Sequence, residues 1–233
     1  MSAHLDPAAG PSPESPLKDD LQAFDGRPTW KVVRTLRDGT SITIRPIAAE
    51  DREDFRRAFG ETSANTRYLR FFAVSNLSEK MLTYLTDVDQ FDHIALVATM
   101  TSPDLKTERG IGVARVIRLE HGGDVAEAAI TVVDAMQRRG VGLTLAREVE
   151  AAARARGIRT IRAEVLESNS AMRAILESTG AQPVATREGT GTLSYDIAIA
   201  AEPPSGTRIV SLLRGAAQTM AMSIRKLVPS DSE

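Results

Sequence analysis

Gln137-Arg138-Arg139-Gly140-Val141-Gly142 stands between an apolar run at 126–134 (AEAAITVVD) and an alanine- and arginine-rich run at 143–156. That juxtaposition predicts a strand, a glycine-rich turn and a helix starting near Arg138. The first N–H groups of a helix have no intrahelical partner, and the helix dipole adds partial positive charge there. A glycine-rich entry lets a phosphate approach bare backbone. The stretch therefore reads as a seat for a pyrophosphate-bearing cofactor. Arg138 and Arg139 either add charge-assisted contacts to phosphate or are solvated residues at the helix start. Gly140 and Gly142 carry no side chain to block the approach, and a plain turn needs only one glycine.

Outward from this point, the chain alternates strand and helix signals. Runs at 31–36 and 40–47 flank Arg37-Asp38-Gly39, a hairpin turn. An amphipathic helix follows at 48–59, with Phe55 and Phe59 one turn apart. Ser63 to Phe72 (SANTRYLRFF) is aromatic-rich and reads as a short helix packing Tyr68, Phe71 and Phe72. Ser78 opens a further helix with Met81, Leu82 and Leu85 inward. Strands at 94–100, 110–119 and 126–134 are joined by short connections, as in an antiparallel meander. The helix at 138–156 keeps Val141, Leu145, Val149 and Ala152 on one face, and Gly157 marks its end. A strand at 160–166 follows a helix, so it is expected parallel to the strand before that helix. Ser168 or Asn169 caps a helix with Met172, Ile175 and Leu176 inward, Gly180 ends it, and a hairpin over 182–200 closes the domain. The fold class is mixed α/β (α+β), a central mixed sheet of about seven strands flanked by helices. The domain spans 28–202. Residues 1–27 form an acidic, Pro-rich tail too poor in large apolar groups to order itself. Residues 203–233 carry a linker and an amphipathic, basic helix. It packs on its own domain or pairs with a second copy as a homodimer; a membrane surface is the weaker fit, with four cations and no aromatic.

Composition narrows the chemistry. The chain has 233 residues, 42% apolar and 26% charged, with a net charge of -2. No broad nucleic-acid surface follows from that balance. There is no cysteine, which excludes disulfides and thiolate chemistry, and three histidines make a metal cluster improbable. No apolar run reaches membrane-spanning length and no signal-peptide core opens the chain, so the expected compartment is the cytoplasm. A dinucleotide-binding reading fails because the third glycine is missing and hairpins, not a βαβ unit, precede the turn.

The order strand, Gln-x-x-Gly-x-Gly, helix, strand, Asn-led helix resembles the GNAT superfamily of N-acyltransferases, through Gln137, Gly140, Gly142 and Asn169. The combination DGTSITIRPIAAED, TRYLRFF, DHIALVA and AEAAITVVDAMQRRGVG is similar to the acetyltransferase domain of bacterial protein-lysine acetyltransferases, which modify acyl-CoA synthetases. The resemblance implies acetyl-CoA or another acyl-CoA as co-substrate, with no metal, and an amine acceptor; it seats the pyrophosphate on the backbone N–H groups of Arg139, Gly140, Val141, Gly142, Leu143 and Thr144. It places the pantetheine arm between the strands at 126–134 and 160–166, hydrogen-bonded to the backbone of Val132 and Val133. Asn169 contacts the arm or the phosphate region by the same likeness, or is a plain N-cap. Glu127, ten residues before Gln137 in the Ala-Glu pattern, is the implied general base. A base matters because a lysine of pKa about 10.4 is almost wholly protonated at neutral pH. The tetrahedral oxyanion falls to a backbone N–H near Val133. The helix after Asn169 has no tyrosine to protonate the departing thiolate, and Tyr195 is too far along the chain to take the role. His93 and His121 are the remaining auxiliary bases. The acceptor stays open between a protein lysine, for instance on an acyl-CoA synthetase, and a small amine. A catalytically idle acyl-CoA sensor is the rival from outside enzymology.

Overall fold

A computed structural model describes residues 30–61, 77–101, 107–167, 170–178, 180–184 and 191–199. The N-terminal tail, the aromatic segment Ser63 to Phe72, Asn169 and the C-terminal amphipathic helix lie outside the described residues.

The first hairpin forms where the turn chemistry put it. Strands β1 (Val32–Thr35) and β2 (Ser41–Pro46) pair antiparallel, with Val32 opposite Ile44. Gly39 takes φ 83° in the turn, and Asp38 Oδ1 accepts from the Thr40 N–H at 3.0 Å. Alternation along β2 buries Ile42 and Ile44 and leaves Ser41 exposed. After a 3₁₀ turn (Ala49–Asp51) comes α1 (Arg52–Gly60), and later α2 (Glu79–Thr86), capped by Ser78 accepting from the Met81 N–H at 3.2 Å. Strands β3 (His93–Thr101), β4 (Glu108–Arg118) and β5 (Val125–Val132) make the expected antiparallel meander.

Helix α3 (Val141–Ala155) then crosses to β6 (Thr160–Leu166), which pairs parallel with β5. A crossover of this length brings the chain back to the same end of the sheet, which forces the parallel sense. Helix α4 (Ser170–Ser178), β7 (Gln182–Val184) and β8 (Thr192–Ala198) complete the order β1-β2-β3-β4-β5-β6-β8-β7. The described sheet has eight strands, against an expectation of about seven.

Two layers cover the sheet. Val141, Leu145, Val149 and Ala152 of α3 are at most 1% exposed and pack on Ala126, Ala128, Ile130 and Val132 of β5 and their neighbours. Each such large side chain contributes about 1.5–3 kcal/mol by leaving water. The opposite face carries α1 and α2, with Met81, Leu85 and Phe55 against Ile117, Ala129, Ala95 and Val113. On that side α1 is pinned by Asp54, whose carboxylate accepts from the Gly110 N–H. A Cβ on Gly110 would come within 2.6 Å of Asp54 Oδ2, so a larger residue there would push that carboxylate aside. Among the described residues no helix is long and apolar enough to cross a membrane.

Helix α3 starts three residues later than its sequence pattern suggests. Arg138 has φ 60° and Gly140 φ 97°, and left-handed residues cannot continue a right-handed helix. Its end is as expected: Gly157 takes φ 82°, with its N–H on Arg154 O at 3.0 Å and that of Ile158 on Ala153 O at 3.1 Å.

Candidate active site

Strands β5 and β6 are in register over only three pairs, Val125–Thr160, Ala126–Ile161 and Glu127–Arg162. Beyond these, β5 continues on β4 to Val132 and β6 continues on β8 to Leu166. The two strands therefore part directly after Glu127, leaving a wedge-shaped gap in the sheet.

Backbone groups on a strand alternate between its two edges. Val125 O accepts from Leu119 N and Val133 N donates to Ile111 O, both at 3.0 Å, so odd-numbered residues serve β4. Asp124 O accepts from Arg159 N at 2.8 Å, so even-numbered residues face β6. Ala128, Ile130 and Val132 thus present their backbone to the gap. Of the two positions expected to face an extended ligand, Val132 has its backbone on the gap edge, whereas the Val133 N–H is engaged with Ile111 O. Ala128 and Ile130 were not foreseen; edge parity needs the strand pairing, which no single-residue signal carries. Gln137 reaches back from the loop, its Nε2 donating to Val132 O at 3.2 Å and to Asp134 Oδ1 at 2.9 Å.

A 3₁₀ turn (Asp134–Met136) joins the gap to the glycine-rich loop. Arg138 and Gly140 have positive φ and Arg139 between them does not. A left-handed residue next to a right-handed one is the backbone pattern from which anion-binding nests are built. The N–H groups of Val141, Gly142 and Leu143 follow as the unpaired first turn of α3. Thr144 corrects the expectation: its N–H and its hydroxyl both donate to Gly140 O at 3.0 Å, so it closes the first helical turn. Arg139 is a second correction. Its guanidinium turns away to the β1–β2 hairpin, with Nε 2.7 Å from Asp38 Oδ2 and Nη2 3.0 Å from Thr40 Oγ1. Hydrogen bonds from the Thr40 N–H and hydroxyl, then from Arg139, hold the Asp38 carboxyl at about 2. Arg138 is exposed at the loop surface. Gly140 is demanded by its φ of 97°, whereas a Cβ on Gly142 would meet only ordinary contacts, Val132 Cγ2 at 3.6 Å and Ile130 Cγ2 at 3.9 Å.

Glu127 is 5% exposed and sits at the vertex of the gap. It shares strand parity with Ala129, so its side chain is on the α1/α2 face, opposite α3. Tyr84 of α2 and Arg162 of β6 lie within its electrostatic reach. Arg162 itself clamps Asp196 with two bonds of 2.7 and 2.8 Å. An apolar cavity on the same face lies under α1, lined by Phe55, Ala58, Phe59, Val113 and Thr131. Thr131 is four residues from Glu127, about 13 Å along a strand, so this hollow does not enclose the carboxylate.

Neither histidine adjoins the gap. His121 is exposed and pairs with Asp92. His93 is buried beside Arg115, Nε2 to Nη1 3.2 Å, and burial followed by the Arg115 charge lowers it to about 3. Arg115 itself was not anticipated; burial pushes its guanidinium down to about 9, and it lies 5.4 Å over the Phe55 ring. His93 has a consequence for stability. Between pH 6.5 and 3 the unfolded chain binds a proton at this residue and the native one does not, so stability falls as pH falls, by up to about 1.4 kcal/mol per pH unit. Urea unfolding should show wild type losing about 1 kcal/mol more than His93→Gln between pH 6 and 5; equal losses would remove His93 as the source. Tyr195 packs under α4 with its hydroxyl donating to Glu177 Oε1 at 3.0 Å, away from the gap vertex. Among the described residues no group of His, Asp or Glu is arranged to hold a metal ion.

The acetyltransferase (GNAT) domain profile matches residues 41–182. Acetyltransferase Pat of Mycolicibacterium smegmatis is 34% identical over 172 residues, 74% of this chain and 49% of Pat. Acetyltransferase PA5475 of Pseudomonas aeruginosa is 32% identical over 142 residues, 60% of this chain and 75% of that protein. The crystal structure of the GNAT domain of S. lividans PAT superposes with a TM-score of 0.62 at 32% identity, covering 73% of this chain and 97% of that domain. The chain spans about half the length of Pat. With a parted parallel strand pair, a glycine-rich loop at a helix start and a profile match over most of its length, the chain belongs to the GNAT family of acyl-CoA-dependent N-acyltransferases.

Proposed function

We propose that the protein moves the acetyl group of acetyl-CoA directly to an amine, with a protein lysine as acceptor and Glu127 as general base. The observation that carries this reading is the parting of β5 and β6 directly after Glu127. The glycine-rich loop and the start of α3 lie at one end of β5, and the Glu127 side chain is on the face away from α3. The pyrophosphate belongs with the N–H groups of Gly140, Val141, Gly142 and Leu143, and the pantetheine arm with Val132 and Ile130 along the gap edge. Gly142 supports this because the fold alone does not require it. The amine then approaches from the α1/α2 side.

Glu127 takes a proton from the acceptor ammonium, directly or through water, and the freed nitrogen then attacks the thioester carbonyl and loses its remaining excess proton to solvent. The oxyanion is held by an N–H facing the gap, Ile130 or Val132, since that of Val133 is engaged with Ile111. The C–S bond breaks, and the thiolate, a low-pKa leaving group, takes a proton from solvent. The lysine acceptor rests on the likeness to bacterial protein-lysine acetyltransferases, and an acyl-CoA synthetase is the first protein to try.

Free CoA release is the test, with acetyl-CoA and a panel of lysine-bearing proteins and small amines. Release with a protein, and an acetyl-lysine found by mass spectrometry, is expected. Release with small amines alone would replace the acceptor, and tight CoA binding without release across the panel would favour an idle sensor.

A further inference from the structure

The glycine-rich loop is held by a distant part of the chain. Arg139 donates from three nitrogens: Nε to Asp38 Oδ2 at 2.7 Å, Nη2 to Thr40 Oγ1 at 3.0 Å and Nη1 to Met136 Sδ at 3.0 Å. These bonds tie the tip of the β1–β2 hairpin to the residue between two left-handed positions, Arg138 at φ 60° and Gly140 at φ 97°. Glycine takes that conformation freely. Arg138 carries a Cβ, and for it the conformation is disfavoured and persists only when neighbouring structure over-determines it. The residue before Arg138 is anchored by the Gln137 amide on Val132 O and Asp134, and the residue after it by the Arg139 latch. The strained residue is bracketed by two fixed side chains.

We infer that Asp38 and Thr40 are positioning residues for anion binding: through Arg139 they hold Arg138 left-handed, which keeps the N–H groups of the loop turned toward a pyrophosphate. This rests on the reading that the loop takes the diphosphate of CoA. The rival arrangement is that Asp38 merely occupies an arginine that would otherwise bind phosphate. It has the opposite sign. Removing a nearby carboxylate should by itself tighten anion binding, so a weakening isolates the positional effect.

The experiment is a double-mutant cycle on the full chain, with CoA affinity measured by calorimetry for wild type, Asp38→Ala, Arg138→Gly and the double variant. Asp38→Ala is expected to weaken CoA by about tenfold, the order set by releasing one strained residue. In the Arg138→Gly background the same change should have no effect, because glycine needs no latch to take φ 60°. Unchanged or tighter binding by Asp38→Ala overturns the inference. So does a weakening that persists in the Arg138→Gly background. If wild type itself fails to bind CoA, the acyl-CoA reading falls, and the same four proteins titrated with inorganic pyrophosphate decide the role of the latch.

Discussion

Glu127→Gln should lower acetyl transfer by about 10²- to 10⁴-fold, the usual worth of a positioned general base. The carboxamide has nearly the shape of the carboxylate, so the change removes proton acceptance and little else from a site that is 5% exposed. The pH dependence is the sharper readout. Without a base, the rate follows the fraction of acceptor already neutral, which rises about tenfold per pH unit up to a lysine pKa of about 10.4. The deficit should therefore narrow steadily from pH 7 to 10. A ratio that stays constant over that range would sink the base role, and CoA affinity measured in parallel separates lost chemistry from lost binding.

Gly142 should show opposite effects on folding and on binding. It is the second residue of α3, its φ is not positive, and a Cβ there would touch Val132 and Ile130 no closer than 3.6 Å. Gly142→Ala should thus raise stability by about 0.5–1 kcal/mol through helix propensity. Gly142→Glu should gain at the positive end of the helix dipole as well. If a phosphate rests on this backbone, Ala should weaken acetyl-CoA at least about tenfold by occupying its space, and Glu about a hundredfold by adding like charge. Thermal unfolding and calorimetry on the same proteins check both halves. A stabilised Gly142→Glu that binds CoA like wild type would move the anion off α3.

The layering was legible in the sequence. The inward positions of α3, the Asp38-Gly39 turn and the parallel β6 follow from spacing and turn chemistry alone, and each stands as expected. Glu127 was visible as one carboxylate in an apolar strand. What stayed hidden depends on pairing or on distant partners. The edge parity that admits Val132 and excludes Val133 exists only once β4 is in register. The partner of Arg139 is 101 residues away, so a local reading could place that guanidinium only in solvent or on phosphate. The late start of α3 reflects Arg138 at φ 60°, a conformation no helix propensity would assign to arginine. Arg115 looks in sequence like any solvent-facing strand residue, and two covering helices bury it.

The three-pair seam between β5 and β6 divides the sheet into two panels. β1 to β5 form one, with α3 lying across β3, β4 and β5. β6, β8 and β7 form the other, drawn together by the Arg162–Asp196 clamp and roofed by α4, which the Tyr195–Glu177 bond fastens to β8. A ligand laying its own amides along Ile130 and Val132 becomes a surrogate strand in the breach. It would lengthen the seam between panels that already share one apolar core and, by binding only the folded sheet, stabilise it. Occupancy of the gap is thereby written into the mechanics of the whole sheet and not only into its local contacts.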